Sequence, residues 1–331
     1  MEKTDVEMLF KWMDETARAV ENHTDEPYLD SLVIVLDALF HQAPPPHLDA
    51  DLSRHIETKL QRMDLSNYAT DDIRKAIQLA ILKGMKNATQ QQHLPTPDTV
   101  AMIIGYIAAK LTQHYDNVRL FDPVAGTANL LTITLDYLGE STAAYASEID
   151  PTLLNLAACH ANLQKKEIEF FHQDSLRPFL LDPVNLVVAD LPVGYYPDDT
   201  RAAAFELKAD EGHSYAHHLL IEQSMYYTTD GGYLIFLIPD FLFESDQSDK
   251  LRAFIREHAH IIGLISLPDH AFKNKKHRKS IFILQKKGKY TTAPKQPLLV
   301  KWPSFKHKAA QEDILGQVNT WFAAYFDNQR R

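Results

Sequence analysis

Four short apolar runs in the middle of the chain each end in an acidic residue, at Asp122, Glu148, Asp174 and Asp190. Helical patterns separate most of these runs, an order typical of a parallel sheet covered on both faces. Ligands of open α/β sheets bind beyond the carboxyl ends of the strands. A role as a helix N-cap is enough to explain any one of the four carboxylates, but four in succession predict a ligand site.

The loop after the first run contains a single glycine, Gly126, where a dinucleotide-binding loop would show three. This disfavours a nicotinamide-dependent dehydrogenase. Asp122 offers an anion to a cationic amino group, and a predicted helix amino terminus at Thr127 faces a carboxylate, a pairing that suits the amino-acid part of S-adenosylmethionine. Glu148 is then placed to accept both ribose hydroxyls, and Asp174 to accept the adenine amino group.

The elements that must position these residues fall into two regions of the 331-residue chain. Residues 1–92 show apolar positions at helical spacing, and residues 93–331 alternate strands with helices. We therefore predict an all-helical accessory domain followed by a Rossmann-like α/β domain. Strands are predicted at 118–122, 143–148, 168–174, 186–190, 233–239, 261–267 and 280–286. The last two flank a basic loop, so the final strand is expected to run antiparallel.

Charge is unevenly distributed along the chain. The 34 Lys and Arg against 44 Asp and Glu give a net charge of −10, which argues against a protein that coats nucleic acid with its whole surface. Residues 273–308 nevertheless contain twelve Lys or Arg and no acidic residue. Two interpretations stay open: contact with the phosphates of a nucleic acid or another polyanion, and a solvated segment that balances an acidic body.

Cysteine content and hydropathy predict a cytoplasmic protein without a membrane span. The lone Cys159 cannot form an internal disulfide, and we expect it to be buried in a helix. No apolar run is long enough for a transmembrane helix, and the charged amino terminus is unlike a signal peptide. His213 and His217 lie four residues apart, but without a third ligand at fixed spacing we predict no metal site.

Five motifs in the second region carry a resemblance: TPD at 96–98, DPVAGTANLL at 122–131, EID at 148–150, QDSL at 173–176 and DLPVGYYP at 190–197. With them the chain resembles the class I methyltransferases related to N6-adenine DNA methylases, in particular the small YtxK-like bacterial branch. The resemblance implies a seven-stranded Rossmann-like methyltransferase sheet with the last strand antiparallel, and S-adenosylmethionine as methyl donor. It runs from about residue 90 to about residue 290.

Carried over position by position, the resemblance also implies a set of cofactor-binding residues. Thr96 and Pro97 would flank the methionine moiety, while Glu148 and Ile149 would hold the ribose and adenine. The full set is Thr96, Pro97, Asp122, Pro123, Ala125, Gly126, Thr127, Glu148, Ile149, Asp174, Ser175 and Asp190.

The loop after the fourth run determines the expected reaction. Amino-methylating relatives show (Asn/Asp)-Pro-Pro-(Tyr/Phe) here, and this chain shows Asp-Leu-Pro-Val. Asp190 and the Leu191 carbonyl still supply two acceptors for a target amine, but Val193 cannot stack on an extruded base. Tyr195 or the adjacent Tyr196 could replace the missing aromatic ring. The predicted catalytic residues are Asp190, Leu191, Pro192 and Tyr195.

These features support one function ahead of two others. The first is methyl transfer to an amino or amide nitrogen, with nucleic acid bound through residues 273–308. The second is a cofactor-binding regulatory or scaffold protein without transfer activity, motivated by Val193 and by the absence of room for a target-recognition domain after residue 290. The third is an RNA or protein amide methyltransferase. The helical region is expected to mediate homodimerisation or contact with a protein partner.

Overall fold

The structure, a computed structural model, describes residues 4–86, 94–272 and 278–329. Four helices come first, α1 (Asp5–Thr24), α2 (Tyr28–His41), α3 (Ala50–Leu60) and α4 (Thr70–Met85). The strands that follow are β1 (Val118–Asp122), β2 (Thr142–Glu148), β3 (Ile168–His172), β4 (Val184–Asp190), β5 (Thr228–Pro239), β6 (Ala259–Ser266), β7 (Lys279–Lys286) and β8 (Leu298–Lys301). The helices around them are α5 (Asp98–Thr112), α6 (Asn129–Leu138), α7 (Pro151–Leu163), α8 (Asp199–Ala202), α9 (Ala216–Tyr226), α10 (Ser248–His258) and α11 (Lys308–Gln329).

The strands form one sheet in the order β3-β2-β1-β4-β5-β7-β6-β8. All seven predicted strands are present, and β7 is antiparallel to both β5 and β6, whereas the other neighbours are parallel. The predicted number of strands is wrong, because β8 pairs with β6 as an eighth, edge strand. The antiparallel strand is therefore not the last one. β8 has only four residues, of which Leu298 alone is buried, and is therefore too short for its pattern to be recognised.

Helices cover both faces of the sheet, as the nearly continuous apolar strands predict. Along β4, Leu186 and Val188 pack in a core with α5, α6 and α11, while Val187 and Ala189 pack on the opposite side with α9 and α10. Side chains of a strand alternate between its two faces, so one run of four apolar residues serves two layers. The carboxyl ends of the parallel strands are left along one edge.

The helical region packs against the sheet domain through α7. Leu153, Leu156 and Cys159 of that helix belong to the same apolar core as α1 to α4, so the predicted burial of Cys159 is confirmed. The predicted division into residues 1–92 and 93–331 falls within 87–93, outside the described residues, and stays a prediction. In the described ranges no helix is long and apolar enough to cross a membrane.

Candidate active site

The loop after β1 is held by the neighbouring strand end. Ala125 donates its amide to the Ser147 carbonyl at 3.0 Å, and the Gly126 amide donates to Oε2 of Glu148 at 2.9 Å. Gly126 has a φ of +54°, and a Cβ built there would meet nothing within 4 Å. The glycine therefore combines a left-handed backbone that favours glycine with an open approach to its own backbone.

Asp122, at the end of β1, is almost completely buried. Its carboxylate accepts a 3.0 Å hydrogen bond from the Val124 amide. Burial, together with the charges of Asp190 and Glu148, raises the pKa of Asp122 to about 8. Three of the four strand-end carboxylates thus act on one another electrostatically, and a cation bound among them would be stabilised.

The loop after β2 is organised around Glu148. Its Oε1 accepts hydrogen bonds of 2.9 Å from the amides of Ile149 and Asp150. Asp150 in turn caps α7 by accepting from the Leu153 amide at 2.9 Å. The Ile149 side chain is 62% exposed, an apolar surface available to a flat ligand beside the first loop.

Hydrogen bonds join the loop after β3 to the loops after β1 and β4. Asp174 accepts a 2.9 Å hydrogen bond from the Leu176 amide and another from the Tyr196 hydroxyl. Burial and this contact with Asp174 raise the pKa of Tyr196. The Ser175 hydroxyl donates to the Pro123 carbonyl. The structure therefore brings the predicted residues of the first, third and fourth loops together.

Thr96 links the segment before α5 to the fourth loop. Its hydroxyl donates to Oδ2 of Asp190 at 2.8 Å, and its carbonyl accepts from the Asn129 side chain at 2.8 Å. The sequence Thr96-Pro97-Asp98 predicts a helix that Thr96 caps and in which Pro97 is the first residue. This prediction is wrong, because α5 begins at Asp98 with Pro97 as its N-cap residue and no side-chain cap. The Thr96 hydroxyl is thus free to position Asp190.

Both predicted amine acceptors of the fourth loop contact Lys279. The ammonium donates to Oδ1 of Asp190 and lies 3.3 Å from the Leu191 carbonyl oxygen. The contact follows from topology, since antiparallel β7 begins opposite Pro239 at the edge where β5 ends. The carboxylate and the carbonyl therefore converge on a single nitrogen. Lys279 belongs to the basic segment 273–308, for which contact with phosphates was one of two interpretations, and here it contacts Asp190.

The remaining residues of the fourth loop form the rim. Val193 is 42% exposed and Tyr195 is 58% exposed. The Tyr195 ring stacks on Tyr215, with ring centroids 4.8 Å apart and planes 18° apart. The Tyr215 hydroxyl donates to Asp246 at 3.2 Å. A catalytic role for Tyr195 stays a prediction. The stacked rings of Tyr195 and Tyr215 provide an aromatic surface that begins two residues after Val193 in the sequence.

Two buried histidines lie behind this loop. His217 and His218 belong to α9, whereas His213 precedes the helix and contacts Asp199 at 2.9 Å. Burial lowers the pKa of His217 to about 3 and that of His218 to about 4. Both rings are therefore neutral at pH 7, and the Pro192 carbonyl is a hydrogen-bond partner of His217. In the part of the chain that the structure describes, no three His, Cys, Asp or Glu side chains are grouped to hold a metal ion.

The basic segment at 273–308 spans β7, β8 and the start of α11, with residues 273–277 outside the described ranges. Several of its cations already have partners. Arg278 pairs with Asp269 at 2.9 Å. Lys286 donates to the Thr228 carbonyl at 2.8 Å, and Lys287 to the Arg256 carbonyl at 2.6 Å. Residues 278–308 of the segment are thus part of the folded domain and differ from a solvated tail.

Comparison with known proteins identifies the family. Residues 82–320 match the N-6 DNA Methylase family, and residues 7–85 match the YtxK N-terminal helical domain. The chain belongs to the N-6 DNA methylase family. Uncharacterized protein YtxK of Bacillus subtilis (strain 168) is 44% identical over 325 residues, which cover 97% of this chain and 99% of the relative. The predicted family is confirmed.

Solved structures agree with this assignment. A Listeria monocytogenes protein, described as a candidate class I S-adenosylmethionine-dependent methyltransferase, is 39% identical with a TM-score of 0.89, covering 96% of this chain and 99% of its own. The methyltransferase subunit of a type I restriction-modification system from Streptococcus thermophilus has a TM-score of 0.63 at 15% identity, covering 96% of this chain and 74% of its own. The second match shows the fold alone.

Sequence reasoning missed three contributors to the site. Lys279 was counted only as one of twelve basic residues, and Asn129 was quoted within a motif without a role. Arg74 of α4 is 3% exposed and contacts Asp98 at 2.9 Å and the Asn129 side-chain oxygen at 3.4 Å. A buried arginine on an otherwise amphipathic helix is the only local signal for this link.

Proposed function

We propose that this protein is an S-adenosylmethionine-dependent methyltransferase that methylates an amino nitrogen in nucleic acid. The observation that carries the proposal is the convergence of the Asp190 carboxylate and the Leu191 carbonyl on one amine nitrogen. A conjugated amine is a poor nucleophile, and two acceptors draw its nitrogen toward the tetrahedral geometry that methyl transfer requires. Membership of the N-6 DNA methylase family supports the same reaction.

The residues at the strand ends fit the proposed cofactor. Asp122 lies within electrostatic reach of the negative charges of Glu148 and Asp190, so a cationic donor bound there would be stabilised and would favour the ionised form of Asp122, and Gly126 leaves its backbone open. Glu148 would hold the ribose, Ile149 would cover the adenine, and the loop after β3 would meet the adenine edge. When bound, S-adenosylmethionine supplies an electrophilic methyl group.

The chain's own residues then have distinct tasks. Thr96 holds Asp190 through Oδ2, which keeps Oδ1 directed toward the acceptor. Asp190 and Leu191 orient the acceptor amine by accepting its two N–H groups. The methylated amine then loses a proton to water, so the site needs no general base. The stacked pair Tyr195 and Tyr215 provides an aromatic surface for a base at the rim.

The partners and location follow from the same proposal. Nucleic acid would bind along residues 273–308, and a second copy or another protein would bind the helical region. A protein that modifies nucleic acid in a bacterium works in the cytoplasm. An RNA or protein amide methyltransferase shares the mechanism and differs in the acceptor.

Two observations favour a second function, that of a cofactor-binding regulatory protein. Val193 stands where amino-methylating relatives place a stacking ring, and the acceptor position is filled by Lys279. A protein of this kind would bind the donor and transfer no methyl group.

Transfer of tritiated methyl groups separates these functions. Purified protein and the Asp190→Ala variant are incubated with labelled S-adenosylmethionine and with bulk DNA, RNA or cell lysate, and cofactor affinity is measured in parallel. We expect label in a nucleic-acid pool, and a loss of at least about 100-fold in Asp190→Ala with nearly unchanged cofactor affinity. Binding without transfer to any pool supports the regulatory function, and an active Asp190→Ala variant shows that the acceptor site lies elsewhere.

A further inference from the structure

The nitrogen of Lys279 occupies the position that the proposed function assigns to the substrate amine. Its ammonium donates to Oδ1 of Asp190 and faces the Leu191 carbonyl oxygen at 3.3 Å, while Oδ2 of Asp190 accepts from Thr96. We propose that Lys279 is a resident occupant of the acceptor site that every substrate amine must displace, and that its displaced ammonium selects acceptors that carry a phosphate. This inference rests on the proposed methyltransferase function.

Displacement is required because the two acceptors meet at one point. A nitrogen that donates to both Asp190 Oδ1 and the Leu191 carbonyl must lie between them, and Lys279 Nζ is already there. Two nitrogen atoms cannot share that position. The site is thus closed to an external amine while Lys279 holds it.

The surroundings of Lys279 allow the ammonium to leave. The Lys279 side chain is 20% exposed and that of Asp190 is 19% exposed, so the ion pair lies at the boundary with water. Lys279 is the first residue of β7, at the rim of the sheet, and its flexible stem can carry the charge outward. The charge of Lys279 also contributes to lowering the pKa of His217, so the group behind it is a neutral ring.

The identity of the substrate determines how well the displaced charge is accommodated. A neutral nucleoside that takes the acceptor position separates the ammonium from its carboxylate and leaves it in water. A nucleotide brings a phosphate that can accept the ammonium in a charge-assisted hydrogen bond. Lys279 would therefore make the site prefer nucleotides to nucleosides by about fivefold, the upper end of the range for an exposed ion pair.

Binding measurements on the full chain test this directly. The cofactor pocket is first saturated with S-adenosylhomocysteine, so that adenosine and adenosine 5′-monophosphate can report only on the acceptor site. Each probe is titrated into wild type, Lys279→Met and the control Lys166→Met. Lys166 precedes β3 and pairs with Asp136, its side chain is 22% exposed, and it lies outside the basic segment and away from Asp190.

We expect Lys279→Met to bind adenosine about fivefold more tightly than wild type and to lose the preference for the monophosphate, while Lys166→Met behaves as wild type. Unchanged adenosine affinity in Lys279→Met would overturn the proposal. Failure of S-adenosylhomocysteine to bind is a separate result, which counts against the proposed function.

A second measurement uses the wild-type protein in case Lys279→Met does not fold. Acylation of lysines, read by mass spectrometry, is expected to be slower at Lys279 than at the exposed Lys289, and to accelerate at Lys279 with saturating adenosine. Equal reactivity of the two lysines, or no acceleration, contradicts the proposal. So does a gain of one methyl mass on Lys279 after incubation with S-adenosylmethionine, because the lysine would then be the acceptor.

Discussion

The backbone amide of Gly126 donates a 2.9 Å hydrogen bond to the carboxylate of Glu148. This contact joins the loops after β1 and β2, the two that the proposed function assigns to the amino-acid and ribose parts of the cofactor. Oε1 of Glu148 accepts hydrogen bonds from the amides of Ile149 and Asp150. The carboxylate therefore fixes the backbone on both sides of the cofactor site.

Gly126→Ala should weaken binding of S-adenosylmethionine by at least about tenfold and destabilise the fold by about 1 kcal/mol. The stability loss comes from the φ of +54°, and the affinity loss from a methyl group in the open space that faces the ligand. Gly139→Ala is the matched control, since Gly139 has a φ of +84° and open space but lies at the other end of α6. Calorimetric titration and thermal unfolding of both variants check this, and equal losses of affinity would contradict the assignment.

Asp122→Asn should remove a pH dependence of stability. The folded-state pKa of Asp122, about 8, lies above its ordinary value of 3.8, so the folded state retains a proton that the unfolded state has lost. The free energy of unfolding of wild type should therefore fall, relative to Asp122→Asn, as the pH rises from about 4 to about 8. Urea unfolding at several pH values measures this, and parallel curves for the two proteins would show that Asp122 is ionised throughout.

Arg74→Met should destabilise the protein by about 2 kcal/mol and weaken cofactor binding. The guanidinium is buried, but its partners Asp71 and Asp98 are partly exposed, so the loss lies between that of a buried and that of a surface ion pair. Asn129 and Asp98 hold the segment that positions Thr96. The double variant Arg74→Met/Asp98→Asn should recover part of the loss in urea unfolding. If the losses in the free energy of unfolding of the two single variants add up to that of the double variant, an interaction between Arg74 and Asp98 is contradicted.

Nucleic-acid binding through residues 273–308 should depend strongly on salt. Release of counterions predicts that the affinity for DNA or RNA falls by about tenfold or more between about 50 and about 200 mM salt. Lys295→Gln and Lys306→Gln should each reduce this salt dependence, since no residue that the structure describes holds either side chain in the way Asp190 holds Lys279. Fluorescence anisotropy with a labelled oligonucleotide measures both effects, and binding that is independent of salt would contradict this interface.

The sequence predicted features that depend on local patterns. The ends of β1, β2 and β4 are recognisable because apolar runs stop at an acidic residue, and they lie where predicted, at Asp122, Glu148 and Asp190. The contact between Lys279 and Asp190 joins residues 89 positions apart and depends on the register of β7 against β5. No local pattern encodes that register.

Two further differences between the predictions and the structure also arise from contacts between residues distant in the sequence. The hydroxyl of Thr96 was expected to cap a helix, yet it reaches Asp190, 94 residues away. The edge strand Leu298–Lys301 exists because β6 offers a free edge, and its four residues show too short a pattern to be recognised. Tertiary contacts therefore determined the details of the site, while local patterns were sufficient to place its strand-end carboxylates.

Calorimetric titration of the full chain with S-adenosylmethionine, alongside an identical titration with NAD, tests the central claim most directly. The account predicts saturable binding of S-adenosylmethionine at one site per chain and no binding of NAD, because one glycine and a cluster of carboxylates suit a cationic donor and disfavour a pyrophosphate. No binding of S-adenosylmethionine, or binding of NAD in its place, would contradict the cofactor site and the function proposed from it.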